Sequence, residues 1–120
     1  MSFANPQEFA RDWIEAFNAK DLDRILSHYA PEVELVSPLY LRFTGGLADT
    51  VRGSEALRSY FETAIQRFPE LRFSLLEVAE GCGSVCIRYH SNLGDRIAME
   101  CFERGPHGAA LRVTCHYVTA

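Results

Sequence analysis

Residues 71–118, LRFSLLEVAE GCG SVCIRYHS NLGD RIAMECFER GPHGAA LRVTCHYV, decide the fold. Side chains along a strand alternate between two faces, and four runs carry that rhythm, near 71–80, 84–92, 96–104 and 110–118. They are separated by Gly81-Cys82-Gly83, Asn92-Leu93-Gly94-Asp95 and Gly105-Pro106-His107-Gly108, turns short enough to lay each strand antiparallel to the one before. The prediction is an antiparallel meander. Its strands carry apolar residues on both faces: Val85, Ile87 and Tyr89 beside Cys86, then Ile97, Met99 and Cys101 opposite Ala98 and Phe102. Helices can cover one face only, so part of the other is expected to be covered too, most simply by a homodimer through the sheet.

Upstream the period changes to that of helices. Asn5 is placed to cap a first helix with Pro6 at its first position, and Phe9, Trp13, Ala16 and Phe17 share its buried face. Asp21 caps a short second helix with Leu22, Ile25, Leu26 and Tyr29 as its stripe, ending near Pro31. Glu32–Ser37 reads as a first strand stopped by Pro38. Residues 39–52 hold Leu39, Tyr40, Leu41, Phe43, Leu47 and Val51 around Gly45-Gly46, too apolar for a free loop and too glycine-broken for a helix. They are expected to form a packed flap. Ser54 then caps a third helix with Leu57, Tyr60, Phe61, Ala64, Ile65 and Phe68 inward and Pro69 at its end. Helices packed on one face of a single sheet give an α+β domain.

At 120 residues with 48% hydrophobic and 23% charged, the chain has the size and composition of one domain with its own core. A net charge of −4, with its twelve basic residues scattered, offers no footprint for nucleic acid or an anionic membrane. No secretory leader or membrane span is legible, which makes a cytoplasmic setting the expectation. Cys82, Cys86, Cys101 and Cys115 then read as reduced, buried thiols. Cys86, Cys101 and Cys115 on neighbouring strands leave a zinc site open, but the Cys82–Cys86 spacing is no usual knuckle and no paired-histidine motif follows, so no metal is expected.

The order helix, short helix, strand, apolar flap, helix, four-strand meander resembles the NTF2-like superfamily over nearly the whole chain. The phrases WIEAFNAKDLDRIL (13–26), YAPEVELVSP (29–38) and RGSEALRSYF (52–61) are similar to SnoaL-like domains. The resemblance implies a cone-shaped fold, three N-terminal helices on a strongly curved mixed or antiparallel sheet around one apolar pocket for a small molecule. It leaves the activity open, because one fold hosts many chemistries. Ketosteroid isomerase, a distant relative in this resemblance, has a tyrosine on the first helix, a base aspartate ending the first strand and a protonated acid on a late strand. The phrases put Trp13 and Ser37 at the first two positions, and neither side chain can serve as that acid or base. The third position falls on Glu100.

Glu100 is the leading candidate from the residues as well, a lone charge between Ala98 and Phe102 on an apolar strand, where a carboxyl aimed into a cavity has a raised pKa. The alternative turns it outward to pair with Arg88 or Arg112. Tyr29 is a second catalytic candidate, facing inward with a hydroxyl to place. His28 reads as a surface residue at a helix C-terminus. His116 and Tyr117 must face opposite ways. The apolar set Leu111, Val113, Cys115 and Tyr117 favours Tyr117 inward, while the other register would pair His116 with Glu100 for proton transfer. Trp13, Phe17, Ser37, Tyr40, Phe43, Tyr60, Phe61, Phe102 and Tyr117 are the expected pocket lining, with Tyr40, Phe43 and Tyr60 around its mouth. Cys101 and Cys115 are expected to be inert thiols.

Two main readings follow. One is an enzyme of the isomerase, cyclase, dehydratase or hydrolase kind, working without a cofactor on a small apolar organic molecule, with Glu100 as proton carrier and Tyr29 or Tyr117 orienting the substrate. The other is a non-catalytic binding or accessory dimerisation domain, which the missing base at Ser37 favours. An NTF2-type adaptor is a third, resting on the superfamily name alone.

Overall fold

The computed structural model describes residues 5–118. Helix α1 spans Pro6–Asn18, and the Asn5 side chain caps it by accepting the Gln7 and Glu8 amides at 2.8 and 3.4 Å. Its inward stripe, Phe9, Trp13, Ala16 and Phe17, is buried as the spacing predicts. Asp21 caps α2, Leu22–Leu26.

Strand β1 begins earlier than the sequence suggests, at Tyr29–Val36. Tyr29 pairs with Ala110, and the register then shifts before Glu34. That irregularity accommodates Pro31, which has no N–H to give to a ladder.

The flap also differs from expectation. Its first part is a helix, α3, Pro38–Phe43, capped by the Ser37 hydroxyl, which accepts the Leu39 amide at 3.1 Å. Gly45 and Gly46 end it at φ 68° and 87°, and the Gly46 amide donates back to Leu41 O at 2.8 Å. Glycine reaches that left-handed region without the Cβ penalty, so the break the glycines impose falls after one and a half turns of helix. The chain then adds a strand the sequence did not reveal, β2, Thr50–Arg52. Helix α4, Ser54–Arg67, follows, and its N-cap is Gly53, with no side-chain cap bond from Ser54. There are thus four α-helices among the described residues rather than three.

The meander forms as predicted: β3 Phe73–Glu80, β4 Ser84–Ser91, β5 Arg96–Arg104 and β6 Ala110–Val118. One six-stranded sheet results, in the order β2-β1-β6-β5-β4-β3. Every pairing is antiparallel except β1 on β6. Asn18 pins the end of α1 to the sheet edge, donating to Phe73 O at 2.9 Å and accepting the Phe73 amide at 2.8 Å. The concave face is filled by an aromatic cluster in which Trp13 lies within 6 Å, centroid to centroid, of Phe17, Phe73, Tyr89 and Phe102.

Two further expectations need correction. Cys86 and Cys101 stand directly opposite on β4 and β5, with Cα atoms 4.1 Å apart, and form a disulfide, while Cys82 is exposed. Only Cys115 is a free buried thiol among the described residues. The three strand cysteines do not converge, because Cys86 and Cys101 take the convex face and Cys115 the concave one. No metal-binding cluster of His, Cys, Asp or Glu occurs among the described residues. His28 is fully buried rather than at the surface. Its Nδ1 reaches the Arg24 and Ile25 carbonyls at 3.0 and 3.1 Å, closing the end of α2, and its Nε2 lies 3.0 Å from Asp12 Oδ2. Phe9 meets the ring edge-on. No described helix is long and apolar enough to cross a membrane.

Candidate active site

The β4–β5–β6 register places Ile87, Glu100 and Cys115 side by side on the concave face. Glu100 is 5% exposed. The outward alternative fails because its two arginines are engaged elsewhere: Arg88 with Glu77 at 3.3 Å and Arg112 with Glu34 at 3.0 Å.

Three polar side chains lie around the carboxyl, and one of them bonds it. The Tyr89 hydroxyl, one diagonal step away on β4, donates to Glu100 Oε2. Cys115 stands directly opposite Glu100 on β6, on the same face. Ser37 follows directly on Val36, which pairs with Thr114, and so lies beside Cys115 at the end of β1. Burial pushes the Glu100 pKa up from 4.5 to about 7, and the Tyr89 and Cys115 side chains pull it back toward the ordinary range. Glu100 is therefore poised to hold or release a proton near neutrality. Burial acts in the same direction on the phenols and thiol around it: Tyr29, Tyr60, Tyr89, Cys115 and Tyr117 are all raised, with the Glu100 charge adding to each. They remain protonated donors. Burial also lowers the His28 pKa, against the upward pull of its carbonyl partners and Asp12.

Tyr29 is buried, and its oxygen accepts the Trp13 Nε1–H at 2.8 Å, which leaves its own proton to be donated. Trp13 thus acts through Tyr29. Tyr117 is on the concave face opposite Ala98, whereas His116 is exposed on the convex face opposite Met99. The His116–Glu100 pair considered from the sequence does not form. Tyr40, Phe43 and Tyr60 do cluster, with ring centroids 5.0–6.0 Å apart, and Phe43 is half exposed beside its better-covered partners. Phe17, Phe61 and Phe102 are core residues packed ring against ring.

A cavity of about 260 Å³ lies between the end of α2, the start of β1 and the start of α4, lined by Leu26, Tyr29, Pro31, Ser54, Glu55 and Arg58. Of the groups around the carboxyl it touches only Tyr29. Tyr89 was missed as a site residue because the sequence shows an inward tyrosine but not the register that carries it to Glu100. Cys115 is expected to be inert, and its raised pKa agrees; the register sets it directly opposite Glu100.

A curved six-stranded sheet closed by helices over one buried, proton-poised acid defines a small α+β domain of the NTF2-like, cystatin-like class. The model of the SnoaL-like domain matches residues 10–119, and the chain belongs to that family. A SnoaL-like protein of unknown function from Burkholderia thailandensis is 37% identical, with a TM-score of 0.90 over 95% of this chain and 94% of that one. Two more distant structures share the fold. A candidate ketosteroid isomerase from Kribbella flavida has 16% identity and a TM-score of 0.75, over 96% of this chain and 78% of that one. An NTF2-like protein of unknown function from Cytophaga hutchinsonii has 13% identity and a TM-score of 0.74, over 98% and 93%. No curated protein matches the chain.

Proposed function

We propose that the protein binds a small, largely apolar organic molecule carrying a carbonyl oxygen and turns it over by cofactor-free acid/base chemistry at Glu100. The observation that carries this reading is the buried carboxyl held near neutrality among phenol donors. Glu100 moves the proton, Tyr29 and Tyr117 donate to the substrate oxygen, and Tyr40, Phe43 and Tyr60 select an apolar body at the entrance. Isomerases, cyclases, dehydratases and hydrolases all need such a proton carrier.

A second reading, a non-catalytic ligand-binding or accessory dimerisation domain, is favoured by two observations. Ser37 stands where a base would be, and the described cavity lies away from Glu100. Deuterium exchange at the α-carbon of cyclic ketones, followed by NMR in D2O, separates the two, with 2-naphthol fluorescence as the binding probe. Exchange that Glu100→Gln abolishes while naphthol still binds supports the enzyme. Binding with no exchange in either protein supports the binder, and neither binding nor exchange supports the accessory domain.

Dimerisation through the convex face belongs to the same proposal, since Met99 and Val118 are 41% and 53% exposed there. Met99→Lys is expected to give a monomer in sedimentation, and a wild type that is itself monomeric would refute it. A cytoplasmic setting is also part of this reading, and there reducing conditions would keep Cys86 and Cys101 as thiols.

A further inference from the structure

Tyr89 is the only described side chain that bonds the Glu100 carboxyl, and it meets one oxygen of the two, Oε2. Oε1 accepts no bond from a described group, yet it is not among the sealed, unpaired polar atoms of the interior, so it keeps some access within a residue that is 5% exposed. The phenol itself is closely held. Its ring packs on Phe73 at 4.4 Å and on Trp13 at 5.3 Å, centroid to centroid. Phe73 is fastened to α1 by both Asn18 bonds, and Trp13 by its bond to Tyr29. By contrast, the last torsion of a glutamate is broad and two-fold, so nothing within the Glu100 side chain fixes the plane of its carboxyl. The carboxyl takes its orientation from the phenol.

We propose that Tyr89 is a positioning residue: it holds the carboxyl plane of Glu100 through Oε2 and makes Oε1 the oxygen that takes up and gives up the proton. The reason is the donor inventory of the pair. A phenol has one proton to give. In the carboxylate, Oε2 accepts that proton and Oε1 offers open lone pairs. In the carboxylic acid, Oε2 is the carbonyl oxygen and still accepts it, so the acid proton sits on Oε1. The opposite arrangement, with the acid proton on Oε2 and Tyr89 accepting, would strand the phenol proton, for which the described structure offers no second acceptor. On a ketone bound as proposed above, the α-carbon C–H bond breaks as the Oε1–H bond forms, and the electron pair moves to the substrate oxygen. Tyr89 keeps its own proton throughout and is neither the acid nor the base. The other titratable groups around the carboxyl, Tyr29 from β1, Tyr60 from α4, and Cys115 and Tyr117 from β6, are raised by burial and stay protonated while Glu100 titrates.

The role in turnover rests on the reading of Glu100 as the functional carboxyl, whereas the choice of oxygen is tested without a ligand. Infrared difference spectra of the full chain at about pH 5.5 isolate the acid C=O band of Glu100 as the one that Glu100→Gln removes. In the wild type that band should lie below the band of monomeric propanoic acid in heptane, because its carbonyl accepts the phenol. Tyr89→Phe keeps the ring and its packing, and Trp13 emission checks that the variant is folded. The band should move to higher wavenumber in this variant, and the titration midpoint read from it should rise by about one pH unit, tenfold in proton affinity, because the carboxylate has lost a donor. In ketone exchange above both midpoints, Tyr89→Phe should lower kcat roughly tenfold and leave KM within about twofold, as loss of orientation does. A wild-type band at the free-acid position, or a band that Tyr89→Phe leaves in place, overturns the assignment of the proton to Oε1. Exchange that Glu100→Gln abolishes and Tyr89→Phe leaves unchanged overturns the positioning role. If the bands move as expected but Glu100→Gln leaves ketone exchange unchanged, the functional reading fails and the orientation of the carboxyl by Tyr89 stands.

Discussion

Replacing Glu100 by Gln makes the buried carboxyl permanently neutral at almost constant shape, and the consequence for stability is quantitative. Glu100 has its pKa raised from 4.5 to about 7 in the folded protein. Between those values the unfolded chain has released the proton and the folded chain has kept it, so the stability from this group is complete below pH 4.5 and is lost as pH rises through 7. The loss amounts to roughly 3 kcal/mol once ionisation is complete near pH 8, because each tenfold shift in proton affinity is worth about 1.4 kcal/mol. Gln cannot ionise and escapes it. Urea denaturation of both proteins at a series of pH values, read through the fluorescence of Trp13, measures the difference directly, and groups common to both proteins cancel. The wild type should lose roughly 3 kcal/mol relative to Glu100→Gln between about pH 4 and pH 8. Parallel stability curves would refute the reasoning, since they would mean that the carboxyl is solvated in the folded state. A difference of opposite sign would mean that its partners hold it ionised.

Other consequences can be checked independently. Trp13, the one tryptophan of the chain, is 1% exposed and should emit at short wavelength and resist iodide quenching. Trp13→Phe removes the N–H that Tyr29 accepts as well as ring volume, and should cost about 2–4 kcal/mol in urea titration. A loss below about 0.5 kcal/mol would show that the Trp13–Tyr29 bond is not formed. In air-oxidised protein, peptide mapping should find Cys86 linked to Cys101, and thiol titration should find Cys82 reacting fast and Cys115 only on unfolding. Any other disulfide partner would contradict the β4–β5 register.

The residues that matter for these predictions divide by how far apart along the chain their causes lie. Caps at Asn5 and Asp21, the stripe on α1 and the alternation of β4 to β6 are local, acting over one turn or two residues, and all were legible in the residues themselves. The inward placement of Tyr117 over His116 was legible for the same reason: a strand has two faces and the apolar set chooses one. Only the folded chain could decide what meets what. Glu34 finds Arg112 seventy-eight residues away because β1 enters the sheet parallel to β6, which no short-range pattern encodes. His28 is buried because α1 brings Asp12 and Phe9 over the end of α2. Tyr89 and Cys115 are set against Glu100 from the two strands that flank β5, through registers set by the whole sheet. Periodicity assigns a side chain to a face, whereas its partners, and with them its proton affinity, follow from long-range pairing and exclusion of water.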